Sequence, residues 1–107
     1  MADKKITSEA VRNDLKDIRY YYARKEVFEY ALKFNIENKV LRKINIYNKA
    51  IKEADPMLFD FYVSVYVKGY TLASYSEICN YSYEYVRRVN GKVIDFLRNK
   101  LQEAKCE

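Results

Sequence analysis

The sequence predicts an all-helical fold, and three observations carry that expectation. Glycine and proline are scarce, two and one in 107 residues, whereas a many-stranded fold needs many turn residues. Apolar residues recur at steps of three and four, the period of a helix. Each periodic stretch is bounded by residues suited to a helix end. The composition, 50% hydrophobic and 33% charged, is that of a chain that buries a core rather than staying disordered. The length suits one compact domain with a single modest core.

The spacing predicts a first helix over residues 8–34. Thr7 or Ser8 serves as its N-cap, and Glu9 suits the positive end of the helix dipole. Val11, Leu15, Ile18 and Tyr22 make one apolar stripe, and Tyr21, Phe28 and Leu32 a second beside it. Tyr20, Tyr21 and Tyr22 point in three directions around the helix, so at least one is expected to meet a partner chain or the other half of the protein. Asn35 and Asn38 offer the next break. A second helix then runs to about residue 54, with Val40, Ile44, Tyr47, Ile51 and Ala54 at alternating steps of four and three. That is heptad spacing over about two repeats. It predicts an antiparallel hairpin or a short coiled-coil seam, so residues 1–54 are expected to form the scaffold and the dimer contact.

Asp55-Pro56 is the strongest punctuation in the chain. Asp55 precedes a proline and makes a good cap, and Pro56 fits the first helical position. A helix over residues 56–68 should bury Leu58, Phe61, Tyr62 and Val65, and Gly69 should close it in the left-handed conformation. Thr71 can cap a short helix to Cys79, Asn80 tolerates a left-handed turn, and Ser82 can cap a last helix to about residue 101. Val86, Val89, Val93, Leu97 and Leu101 form its inner stripe.

Charge and rare residues narrow the function. The net charge is +5, which favours nucleic acid as a partner. Residues 1–53 hold 13 basic and 8 acidic side chains, and residues 54–107 hold 7 of each. Between residues 87 and 100, Arg87, Arg88, Lys92, Arg98 and Lys100 are opposed only by Asp95. Histidine is absent, which removes the commonest general base and the usual zinc ligand. No glycine-rich phosphate loop or paired-acid motif is present, so neither catalysis, a cofactor, a metal nor a small-molecule substrate is expected. Most of the twelve tyrosines lie at helical spacing beside Val, Ile or Phe, which predicts packing rather than base stacking. Gly91 costs about 1 kcal/mol relative to alanine inside a helix, so it marks either tolerated drift or the close approach of a partner. No stretch approaches a membrane span, since the most apolar run, residues 58–67, contains Asp60. No signal peptide is expected behind the opening Met-Ala-Asp-Lys-Lys, and Cys79 and Cys106 read as free thiols, so a cytoplasmic location is expected.

Residues 71–97 read TLASYSEICNYSYEYVRRVNGKVIDFL. Thr71 stands at a cap, Tyr75 at an inner position and Ser76 at a small one. Cys79 is inner, Asn80 takes the turn, Tyr81 is apolar, Ser82 caps, and Val86 opens a second inner stripe continued by Val89, Val93, Ile94 and Leu97. This register resembles the C-terminal region-4 domain of bacterial sigma factors, with Tyr75 in place of an aliphatic residue and Asn80 in place of glycine. The small residue lets two helices cross closely, the turn residue accepts positive φ, and the serine satisfies a free N–H. The resemblance implies a helix-turn-helix reader of double-stranded DNA within residues 55–107. The whole chain also resembles small transcription regulators carried by phages and mobile elements of Gram-positive bacteria, through IRYYYARKEVFEYA and YNKAIKEADPMLFDFYVSVYVKGYT. That likeness implies an activator of phage late genes or a related DNA-binding switch, with RNA polymerase as a further partner.

In such a motif the second helix enters the major groove with its N-terminal residues at the base edges. The resemblance puts Tyr83, Glu84, Arg87 and Arg88 at those places. Arginine can chelate guanine O6/N7 and glutamate can accept from cytosine N4. Ser82, Tyr85, Lys92 and Arg98 are the expected phosphate contacts, which set register rather than sequence. The expected partner is double-stranded DNA bound by a homodimer. The rival reading is a helical protein-interaction module, docking on RNA polymerase or another regulator without reading bases; the neutral balance of residues 54–107 favours it.

Overall fold

The computed structural model describes residues 5–25 and 39–106. Those residues are helical with no strand, as the periodicity predicts. Helix α1 spans Ser8–Ala23. Thr7 caps it, its Oγ1 accepting from the Ala10 N–H at 3.0 Å, and Glu9 lies in the first turn. α1 ends at Ala23, with Arg24 as its C-cap leaving helical geometry at φ −127° and ψ 36°, so the expected first helix is interrupted there; its remainder over residues 26–34 lies outside the described residues. The expected positions of Phe28, Leu32, Asn35 and Asn38 lie outside the described residues. Val11, Leu15, Ile18 and Tyr21 form the buried stripe of α1, with Tyr22 half-buried beside it.

Helix α2 spans Lys39–Ile51. Its Ile44, Tyr47, Ala50 and Ile51 enter the same core as α1. The heptad-like stripe that predicts a dimer seam is therefore covered largely within the chain, and only Val40 and Ala54 of that stripe remain partly accessible. Polar contacts pin the two helices together. The Tyr47 hydroxyl donates to Asp14 Oδ2 at 2.7 Å, and Lys43 Nζ lies 3.1 Å from Asp14 Oδ1 and 2.8 Å from Asp17 Oδ2.

Helix α3 spans Pro56–Tyr62 and runs on into a π-helical turn over Val63–Val67. Pro56 occupies the start as expected, but the Asp55 side chain makes no capping hydrogen bond; only its carbonyl accepts, from the Phe59 N–H at 2.9 Å. The wide turn shows in the Lys68 N–H donating to the Val63 carbonyl at 2.8 Å, five residues back. Phe61, Tyr62 and Val65 are buried as predicted, whereas Leu58 is only half-buried. Gly69 closes the segment at φ +88°, the conformation expected of it. Arg19 of α1 reaches across and donates to the Gly69 carbonyl at 2.9 Å, tying α1 to this turn.

Helix α4 spans Leu72–Cys79 and α5 spans Tyr83–Cys106, five residues longer than expected. The long α5 organises the molecule, since α1, α2, α3 and α4 all pack against it. Its Val86, Val89, Val93, Ile94 and Leu97 are buried in one core cluster with residues from all four. Residues from both halves of the sequence thus share a single core. No helix among the described residues is long and apolar enough to cross a membrane.

Candidate nucleic-acid interface

The junction of α4 and α5 is built by local chemistry. Thr71 opens α4 with a reciprocal cap: its Oγ1 accepts from the Ser74 N–H at 3.0 Å, and the Ser74 hydroxyl oxygen accepts from the Thr71 N–H at 3.0 Å. Asn80 ends α4 in the left-handed conformation, φ 60° and ψ 38°. The Tyr81 N–H then donates to the Ser76 carbonyl at 2.9 Å and the Asn80 N–H to the Glu77 carbonyl at 3.3 Å, the bond pair of a Schellman closure. Ser82 starts α5, its Oγ accepting from the Tyr85 N–H at 3.1 Å and its carbonyl from the Val86 N–H at 3.1 Å. Two helices are thereby joined by a turn of three residues.

Tyr75 and Ser76 are both buried on the inner side of α4. The extra bulk of Tyr75 is accommodated because its ring meets Phe61 edge-on, centroids 5.2 Å apart, while its hydroxyl reaches Asp60 Oδ2 at 3.0 Å. Burial first, then the Asp60 carboxylate, pushes the Tyr75 hydroxyl well above its ordinary pKa. The Ser76 hydroxyl donates to the Ala73 carbonyl at 2.7 Å, within its own helix.

The four expected base-reading residues lie together on the outward side of the first turns of α5. Tyr83 is half-exposed, and Glu84, Arg87 and Arg88 are exposed. Glu84, Arg87 and Arg88 line an open surface depression. Among the described residues Arg87 and Lys92 form no ion pair or side-chain hydrogen bond. Glu84 and Arg88, one turn apart, do not pair with each other either; the Arg88 guanidinium instead lies 6.0 Å from the centroid of the Tyr85 ring.

The four expected phosphate residues divide. Lys92 and Ser82 are exposed, and the Ser82 hydroxyl can still donate while its oxygen caps the helix. Tyr85 instead turns inward: its hydroxyl approaches Met57 Sδ at 3.4 Å and its ring packs edge-on against Tyr81. Arg98 lies about 15 Å further along the helix than Arg88. There it holds α5 to the start of α1, donating to Ser8 Oγ at 3.3 Å and pairing with Asp95 at 3.8 Å. Both Tyr85 and Arg98 therefore have internal partners that sequence periodicity does not reveal.

Two exposed apolar residues lie beside the site: Tyr81, which the motif register already places in the turn, and Ile78, which it does not name. Ile78 is 64% exposed and Tyr81 42%. A signal for Ile78 existed: Leu72, Tyr75, Ser76 and Cys79 form the inner stripe of α4, which leaves Ile78 on the opposite side. Gly91 lies further along α5, with no atom within 4 Å of where a Cβ would sit, so nothing within the described chain requires glycine there. Comparison with known proteins finds no match: no protein-family model, no curated protein and no solved structure resembles the chain.

Proposed function

We propose that the protein is a sequence-specific reader of double-stranded DNA that regulates transcription, with α4 and α5 acting as a helix-turn-helix and α5 lying in the major groove. The observation that supports this most is the outward edge of α5. Glu84, Arg87 and Arg88 stand exposed, without ion-pair partners, on a helix whose opposite side is anchored by Val86, Val89 and Val93. A rigidly held helix presenting unpaired arginines just after a tight turn has the elements of base readout. In this reading Arg88 and Arg87 address guanine, Glu84 accepts from cytosine, and Tyr83 lies against the bases. Lys92 and Ser82 meet phosphate. Tyr85 and Arg98 keep their structural tasks.

The reading includes a homodimer and a cytoplasmic location. Since the heptad stripe is buried, the dimer contact moves to the groove between α2 and the last turns of α5. Ile46, 53% exposed, lies there with Ala50, Leu101 and Ala104. Lys49 and Glu53 border the groove, and Glu53 already pairs with Lys100 of its own copy at 3.0 Å, so a two-fold contact here would rest on the apolar side chains, Ile46 foremost. Two copies would then read paired half-sites.

The test is binding of labelled duplexes over a range of salt concentrations. A preferred site, with affinity falling steeply as salt rises, supports the reading. No binding to any duplex at low salt favours the second reading, a protein-interaction module using the same surface. The exposed apolar side chain of Ile78, together with the neutral charge balance of residues 54–107, is what favours that alternative.

A further inference from the structure

We propose that Tyr83, with Ile78 across the turn, contacts the C5-methyl groups of thymine, so that the bound DNA site carries thymine beside the base pairs addressed by Arg87 and Arg88. The inference rests on the DNA-reading proposal and adds the base that its apolar part selects. Three large hydrophobic residues are exposed within residues 78–83: Ile78 at 64%, Tyr81 at 42% and Tyr83 at 50%. Tyr81 has an internal role, its ring edge-on to Tyr85 with centroids 5.0 Å apart. Ile78 and Tyr83 make no ring contact or side-chain hydrogen bond among the described residues. Scattered apolar side chains on a surface need no explanation, but large ones gathered beside a candidate site mark contact.

Charge indicates what that contact is. Arg87 lies one turn beyond Tyr83 on the same edge of α5, and Arg88 and Lys92 lie next to it, all exposed. The spot is bordered by Arg87 and Arg88 on one side and by the exposed carboxylates Glu84 and Glu77 on the other, a mixed edge that fits a ligand offering hydrogen-bond acceptors, donors and an apolar group side by side, as base edges in the major groove do. Duplex DNA offers one such group in the major groove, the thymine methyl, which apolar side chains recognise by contact. Because Tyr83 and Arg87 share an edge, the thymine read by Tyr83 neighbours the base pair read by Arg87.

The experiment uses the full chain and a short duplex selected by the protein from a randomised pool. Affinity for that duplex is compared with affinity for copies in which single thymines are replaced by uracil, which removes the methyl and leaves base pairing intact. The expected result is a loss of about fourfold at a contacted position, equivalent to about 0.8 kcal/mol for one methyl-sized group. Tyr83→Ala should bind the thymine and uracil duplexes alike, Tyr83→Phe should keep the difference, and Ile78→Ala should reduce it. All three should retain wild-type helical circular dichroism, because both residues are exposed. If the wild type binds its selected site specifically yet binds every uracil copy equally well, the methyl contact is overturned and DNA reading stands. If the pool yields no preferred duplex, or none binds at low salt, both fall.

Discussion

The Tyr75 hydroxyl donates to Asp60 Oδ2 at 3.0 Å, tying the inner face of α4 to α3. Tyr75 belongs to a set of tyrosines whose burial disfavours the phenolate. The hydroxyls of Tyr47 and Tyr62 are also pushed up by burial, and that of Tyr66 is pushed up to about 12 by burial despite the opposing hydrogen bond with Asn90. In the unfolded chain these groups ionise near the ordinary tyrosine value of 10.0. Above that pH the unfolded state loses protons that the folded state keeps, so stability falls as pH rises. Urea midpoints should therefore be flat below about pH 9.5 and decline between roughly pH 10 and 12. Tyrosinate absorbance should show part of the tyrosines ionising only as the protein unfolds. Complete ionisation near pH 10 in the still-folded protein would contradict the packing described for these rings.

Ser76 is expected to tolerate loss of its hydroxyl but not added volume. It is 7% exposed, on the side of α4 that faces its neighbours. Ser76→Leu should cost about 1–3 kcal/mol by overpacking, whereas Ser76→Ala removes a bond to its own helix and should be mild. Thermal or urea unfolding of both variants checks this; equal stability would place the tight contact elsewhere.

Much of this architecture was legible in the sequence because local chemistry dictated it. Thr7, Pro56, Gly69, Thr71, Asn80 and Ser82 act at the predicted helix ends, and each requires only a side chain or a backbone conformation available locally. What failed depended on the surroundings. The end of α1 at Arg24 carries no glycine or proline, and the apolar spacing continues past it. The π-helical turn over Val63–Val67 has no composition signature; it accompanies the packing of the Tyr66 ring against both Phe61 and Tyr62. The α2 stripe was legible as apolar, but periodicity names the buried face and not what covers it. For the same reason the outward position of Arg87 and Arg88 could be read from the α5 stripe, whereas the internal partners of Arg98 and Tyr85 could not.

Self-association should depend on Ile46. Ile46→Glu places a charge in the groove between α2 and α5 while leaving the core intact, because the wild-type side chain is already half-exposed. Sedimentation should show the variant shifted toward monomer with unchanged helical content. A dimer as tight as wild type would move the contact off this groove.

Arg98→Ala should act on stability rather than on DNA binding. The lost contacts, to Ser8 and Asp95, are partly exposed, so the expected cost is only about 0.5–1 kcal/mol. A urea midpoint measures it, and duplex affinity under folded conditions should stay within about twofold of wild type, well below the effect of a lost base contact. A large uniform loss of DNA affinity with stability unchanged would restore Arg98 to the phosphate contacts.

If α5 reads bases through the residues following Ser82, loss of the Arg88 side chain should show it most directly. That side chain is exposed and lies outside the core, so Arg88→Ala should fold as the wild type does. The measurement is the affinity of this variant for the preferred duplex and for a scrambled one, at several salt concentrations. A lost bidentate contact to guanine should lower the specificity ratio by about 1–3 kcal/mol and relax selection at one base pair. Unchanged affinity and unchanged specificity would contradict the account and transfer this surface of α5 to a protein partner.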